Sequence, residues 1–349
     1  MNFGIFTMFP VREGGTQQAV IREYLDLADV AEQVGIDVFW LGESHFRRQR
    51  AVLASPLIAA SAVAARTKRM RVGIAVQVLP LANPVRVAEE AAMVDHISGG
   101  RLDFGVGRSS FLESYQGYGV SYEESRPLFF EALEIIRESW GEEPLTYEGK
   151  YYRFHDVDVV PKPLQKPHPP IRVAVESRDT FSLMGRLGFP IFIRYQMSVG
   201  EIQDLLGQYQ EERHNAGFDG PNDVILQIPA YVAETEAEAY EEPRQSTMRQ
   251  RRLTAQAVAA GHGADQETTE RLGRLYTESY HDVLERVAFG TPERVVERLE
   301  WFRDTFGLSG VSLDVNPGGQ LPYDRVVRSV RLLCDRVVPE IRGSKEMRK

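Results

Sequence analysis

Residues Leu102–Trp140 read LDFGVGRSSFLESYQGYGVSYEESRPLFFEALEIIRESW. A short apolar run, Leu102 to Val106, suits a buried strand, and apolar residues return at helical spacing from Tyr122 to Trp140. Between them lies a loop rich in glycine and polar residues. This switch from strand to helix periodicity recurs along the whole chain and marks eight βα units. Strands are expected at Phe3–Met8, Val38–Gly42, Arg71–Val78, Leu102–Val106, Ile171–Val175, Ile191–Arg194, Val224–Tyr231 and Gly310–Val315. Helices follow each one, including Gln17–Val34, Pro56–Ala65, Pro84–His96, Tyr122–Trp140 and Pro292–Thr305. Ser121 with Glu124 matches a capping box, and Thr291-Pro292-Glu293 supplies an N-cap, a proline at the first helical position and an acidic first turn.

Eight strand–helix pairs without a long polar linker predict one α/β domain over residues 1–349, a parallel (β/α)8 TIM barrel. Catalytic groups then belong where the strands end. Two segments break the repeat. Tyr147–Leu164 reads as a short hairpin followed by a proline-rich crossing, and residues 236–289 form a polar, helical insertion after strand seven. That insertion, with MRQRR near Met248 and AAGHGAD near Gly261, is either a mobile lid or a solvated pair of surface helices.

Bulk properties narrow the function. The 349 residues are 43% hydrophobic and 26% charged, without an apolar run of membrane-spanning length. Met1 leads straight into a strand rather than a leader, so a cytoplasmic location is expected. The net charge of -9 argues against nucleic acid and for a small-molecule partner. Cys334 lies on an apolar helical stripe and reads as packing. The histidines lack metal-ligand spacing, so no metal site is expected. No lysine ends an expected strand, which disfavours a Schiff base, and no GxSxG elbow occurs.

Arg108 follows strand four directly, and Arg126 falls in the first turns of the next helix. A cation at a helix start opposes the macrodipole, so the two arginines suggest an anion, above all a phosphate, between them. A tight turn with Arg108 paired to Glu113 or Glu123 is the alternative. Strand five ends in AVESRDT, where Ser177 and Thr180 stand three residues apart at a helix N-terminus that neighbours strand four in a barrel. Capping alone also accounts for Ser177. On strand two, FWLGESHF places Glu43 and His45 at the rim. His45 can be a base, a hydrogen-bond donor to a ligand or a satisfied rim histidine, and Glu43 can pair with a neighbouring arginine.

NFGIF, WLGESHF, VLPLANPVRVAEE, HISGGRLDFGVGR, YGVSYEESR, YYRFHDVDVVPKPLQKPHPPI and GTPERVVERL together resemble the bacterial luciferase-like flavin-dependent monooxygenases along nearly the whole chain. The resemblance implies a two-component oxygenase: reduced FMN comes from a separate flavin reductase, and O2 reacts through a flavin C4a-hydroperoxide. Arg108 and Arg126 fall on the family's phosphate-contacting arginines, and Glu176, Ser177 and Thr180 on its strand-five motif. Ala75 and Val76 fall where the family bends its backbone against the flavin ring, often through a non-proline cis peptide. The insertion matches the family's mobile loop, and a homodimer through the first three units, with AASAVAAR at Ala59–Arg66 allowing close approach, is implied.

One departure matters. Luciferases carry EHHF on strand two, the first histidine acting as base, whereas this chain has Glu43-Ser44-His45-Phe46. The base position is Ser44, whose hydroxyl does not accept a proton near neutral pH as imidazole does. Light-emitting aldehyde oxidation is therefore not expected, while oxygenation of a small organic substrate near His45 is. Gly107 and Tyr195 replace a bulkier residue and a tryptophan and imply a reshaped pocket. Two rivals stay open: an F420-dependent hydride-transfer enzyme on the same fold, and a non-catalytic flavin-binding paralogue.

Overall fold

In the computed structural model, which describes residues 1–259, 273 and 277–343, eight parallel strands close on themselves. They are β1 (Asn2–Thr7), β2 (Val38–Leu41), β3 (Arg71–Val78), β4 (Leu102–Gly107), β5 (Ile171–Ala174), β6 (Ile191–Arg194), β7 (Val224–Val232) and β8 (Gly310–Asp314). Neighbours in sequence pair in order, β8 pairs with β1, and β6 joins β7 from Ile191–Val224 to Arg194–Gln227. The outer ring is α1 (Gln17–Val34), α2 (Pro56–Arg66), α3 (Pro84–Ser98), α4 (Ser125–Ser139), α5 (Arg178–Leu187), α6 (Val199–Asn215), α7 (Pro292–Phe306) and α8 (Tyr323–Leu332). The barrel is the architecture the periodicity predicts.

The helices close it because each presents an apolar face to the sheet. In α4, Leu128, Phe129, Ala132, Leu133, Ile135 and Ile136 are buried, at the three- and four-residue spacing that makes one stripe of a 3.6-residue helix. Cys334 is buried beyond α8, where loss of hydration raises its thiol to about 12, so it serves as packing.

Inside the barrel, Phe6, Val38, Trp40, Phe192 and Ile225 form a second cluster, with Met8, Ala75, Val76 and Ala174 packed against it toward the strand ends. Trp40 meets Phe192 edge-on at 4.9 Å. Its indole crosses β1 and β3 at Gly4 and Gly73, where an added methyl would overlap the ring. Gly73→Ala is expected to destabilise the protein by about 1–3 kcal/mol, the range for overfilling a packed interior, as read by chemical denaturation. A variant as stable as the parent would show that the indole is free to move.

The interruptions sit as expected, with differences at their edges. Leu145–Glu148 and Arg153–Val157 form the antiparallel hairpin, and cis bonds precede Pro161 and Pro167 in the crossing that follows. Within 236–289 the structure contains helices Glu236–Glu241, Arg244–Ala259 and Tyr280–Leu284 and a short strand, Ala288–Gly290, that extends the sheet beside β7. The AAGHGAD segment falls largely outside the described residues. Helix Arg244–Ala259 is not the solvated surface helix of one expectation, since Ser246, Thr247, Arg249, Arg251 and Thr254 are buried. Ser246 donates to the Pro317 carbonyl at 2.6 Å, Arg249 to those of Gly318 and Gln49, each at 2.7 Å, and Gln250 to Asp314 at 2.9 Å. The capping box at Ser121 and Glu124 does not form. Ser121 bonds the Glu123 carboxylate instead, and α4 starts at Ser125.

Candidate active site

The C-terminal strand ends gather two groups of side chains. The first belongs to β4 and β5. Arg108, one residue past β4, donates to the Ser125 hydroxyl at 3.2 Å, and Ser125 opens α4. Arg126 is therefore the second residue of that helix, with its guanidinium at the positive end of the dipole. It lies 3.6 Å from Asp179 in the first turn of α5. Both partners are largely exposed, so this ion pair is weak and open to exchange for a stronger anion.

The alternative for Arg108 fails. Glu113 pairs with Arg47 at 2.7 Å and Glu123 with Ser121. At α5, Ser177 occupies the N-cap position without making a side-chain cap, and its hydroxyl faces that of Thr180 at 2.9 Å. Capping therefore does not account for Ser177. Arg108 and Arg126 stand at the start of α4, Ser177 and Thr180 at the start of α5, and the Arg126–Asp179 pair links the two helix starts; guanidinium groups, hydroxyls and helix N-termini are groups that can hold a phosphate. Glu176 is turned aside: its carboxylate accepts from Arg194 at 3.0 Å.

The floor beside this corner is made of small side chains. The Ala75–Val76 bond is a cis peptide, as the resemblance led us to expect, and the pairing of β3 with β4 slips between Ile74 and Gln77. Gly107 faces Val76 and Ala174, and a Cβ there would lie 2.6 Å from Val76 Cγ2. Ala75, Val76 and Ala174 pack here on the interior cluster of the barrel as partly buried apolar side chains.

The second group is built on β2. Glu43 accepts from His45 Nε2 at 2.5 Å, from Gln77 Nε2 at 2.6 Å and from the Val78 amide at 2.9 Å, and both Glu43 and His45 are buried. The expected arginine partner of Glu43 is thus replaced by His45. Burial pushes the Glu43 carboxyl above its usual range, while the His45 hydrogen bond and the Val78 amide pull it back. Ser44 is half-buried and its amide donates to the Leu53 carbonyl at 2.9 Å. Tyr118, which the sequence did not single out, brings its hydroxyl to 3.3 Å from His45 Nδ1.

Sequence reasoning also missed Asp314. It ends β8 beneath helix Arg244–Ala259, in a small polar cavity lined by Arg50, Arg194, Tyr195, Gln227, Gln250 and Arg251 among others. Burial pushes its carboxyl up to about 6, against the Gln250 and Asn316 hydrogen bonds and the charges of Arg50 and Arg194. Only long-range β8 pairing puts an acid here, so no local motif could flag it.

A closed parallel barrel with arginines at a helix start and a buried acid–imidazole pair on one rim is the framework of an α/β-barrel enzyme that works at its strand ends. A model of the family described as luciferase-like monooxygenase matches residues 1–308, and the chain belongs to that family. It is 25% identical to an alkanal monooxygenase alpha chain of Photorhabdus luminescens over 97% of each chain. To the oxygenase component of a flavin-dependent trigonelline monooxygenase of Acinetobacter baylyi it is 27% identical, over 68% of this chain and 67% of that one. The crystal structure of the monooxygenase RslO1 from Streptomyces bottropensis superposes with a TM-score of 0.84 at 28% identity, covering 97% of this chain and 99% of that chain.

Proposed function

We propose that this protein is the oxygenase component of a two-component system that takes reduced FMN from a separate flavin reductase and oxygenates a small organic substrate. The observation that carries this reading is the placement of Arg108, Arg126, Ser177 and Thr180 at two helix starts linked by the Arg126–Asp179 pair, with the small residues Ala75, Val76 and Gly107 at the ends of β3 and β4. On this reading the helix starts hold the terminal phosphate and the small residues face the ring. When bound, reduced FMN supplies the two electrons that let O2 give one atom to the substrate and release the other as water.

The protein's own part is to bind, orient and shield. Arg108 and Arg126 neutralise the phosphate dianion, and the Ser177 and Thr180 hydroxyls fix its rotation. Helix Arg244–Ala259, seated over β8, keeps bulk water from that side of the rim. Glu43 holds the His45 ring in one orientation beside the substrate.

Calorimetry with FMN and with F420, followed by turnover with a reductase, NAD(P)H and air, tests the assignment. FMN binding with oxygenated product in air and none under argon is the expected result. The fold by itself does not choose between the two cofactors. Preference for F420 would establish the hydride-transfer rival, and FMN binding without product from any reductase system would favour the non-catalytic paralogue.

The same proposal includes a homodimer in the cytoplasm. Ile58 on α2 is 73% exposed, and Met93 and Ile97 on the adjoining α3 are also exposed, next to the small residues of Ala59–Arg66. Ile58→Glu is expected to shift the protein from dimer to monomer in sedimentation equilibrium, since a carboxylate there would be buried unpaired. A wild-type chain that sediments as a monomer would refute the dimer.

A further inference from the structure

We propose that Tyr118 and His45 form a proton relay anchored by Glu43, and that this relay exchanges protons with the groups reacting at the strand ends, reduced oxygen as well as substrate, in place of the imidazole missing at Ser44. The inference rests on the oxygenase reading and adds Tyr118, which that reading leaves without a role.

Hydrogen-bond directions carry it. Gln77 Nε2 and the Val78 amide both donate to Glu43 Oε2, which favours the carboxylate form, and against that carboxylate the His45 nitrogen facing Oε1 at 2.5 Å carries the proton. In the neutral ring the remaining proton-accepting atom is Nδ1, and it points at the Tyr118 hydroxyl, 3.3 Å away, with the two rings edge-to-face at 5.0 Å. The dyad is buried, whereas Tyr118 is 47% exposed at the rim. The phenol is thus the outlet through which a buried imidazole reaches the site.

The local sequence builds this contact. Tyr118 is the last residue of the short helix Leu112–Tyr118 after β4, and Gly119 ends that helix with a left-handed φ of 68°. Phe46, itself at φ 56°, lies against the Cα of Gly117, where any side chain would overlap its ring, and packs at a tilt against both Tyr118 and His45. Gly117 therefore lets the aromatic group close. The titratable groups that face the dyad are Tyr118 and, through Glu43, Tyr115 on the same helix. Burial and the Glu43 charge both hold the Tyr118 phenol in its protonated form.

The step balances without a further reactant. When a reacting group releases a proton, Tyr118 Oη takes it and passes its own to His45 Nδ1, leaving an imidazolium against the Glu43 carboxylate. When a proton is needed, both transfers reverse. No charge is left on the exposed phenol in either direction.

Nitrogen-15 spectra of the apoprotein labelled at histidine read the ring without flavin, so this test and FMN binding can fail independently. The spectra are expected to show His45 protonated at Nε2 with Nδ1 as a hydrogen-bonded acceptor. Tyr118→Phe should move the Nδ1 resonance toward that of an unbonded imine nitrogen and leave Nε2 unchanged. With reduced FMN and air but no substrate, the pH profile of peroxide release should shift by about one pH unit or more in Tyr118→Phe at unchanged FMN affinity. Incorporation of 3-fluorotyrosine at position 118, which keeps the ring and its packing, should move the profile toward acid. A proton on Nδ1, an Nδ1 resonance indifferent to the phenol or superimposable profiles would overturn the relay.

Discussion

Arg108→Ala is expected to weaken FMN binding by about 1.5–3 kcal/mol, roughly ten- to 150-fold, the range for a hydrogen bond to a charged group. Arg126→Ala should lose less, because Arg126 is nearly half-exposed and already shares its charge with Asp179. The two losses should not sum, since both arginines act on one phosphate. Asp179→Asn supplies the opposite sign: without the carboxylate 3.6 Å from Arg126, FMN should bind more tightly, and the gain should fade as salt rises. Calorimetry at two ionic strengths reads all four proteins. Unchanged affinity in Arg108→Ala would remove that residue from the site.

The second large effect concerns pH and Asp314. Its carboxyl has an ordinary value of 3.8 and is pushed up to about 6 in the folded chain. Below about pH 4 both states hold the proton, and the residue is neutral to stability. Between about pH 4 and 6 the unfolded chain ionises first, so stability falls as pH rises. Above about pH 6 the loss is complete at about 3 kcal/mol. Asparagine cannot ionise, yet it keeps an acceptor for Gln250. Asp314→Asn should therefore match the wild type near pH 4 and exceed it by as much as about 3 kcal/mol near pH 7 in urea denaturation. Stability curves that stay parallel across that interval would show that Asp314 ionises as freely in the fold as in water.

These effects come from two kinds of residue, one visible in the sequence and one not. The barrel was legible because each strand and helix announces its own period: β3 and β6 have the bounds expected, β1 is shifted by one residue at both ends, and the other strands differ by one residue at one end. The placement of Arg108, Arg126, Ser177 and Thr180 was legible because each sits beside a strand end or helix start. Glu176 was not, since its partner Arg194 arrives from β6. The same holds for Glu43, whose bond to His45 depends on rotamers rather than spacing. Tyr118 reaches His45 across 73 residues, and Gln250 reaches Asp314 across 64, contacts that only closure of the barrel creates. The Ser121 capping box misled because Ser121 and Glu123 satisfy one another locally and leave Ser125 to open the helix.

Trp40, lying across Gly4 and Gly73, has an outcome for how this protein can change over generations. Enlarging either glycine alone forces the indole aside, and shrinking the indole alone opens a void, so each single step lowers stability although the combined exchange need not. The three positions should vary together or stay fixed. A library that randomises them jointly ought to recover paired solutions, such as an alanine at 73 beside a smaller ring at 40, that one-at-a-time scanning would discard.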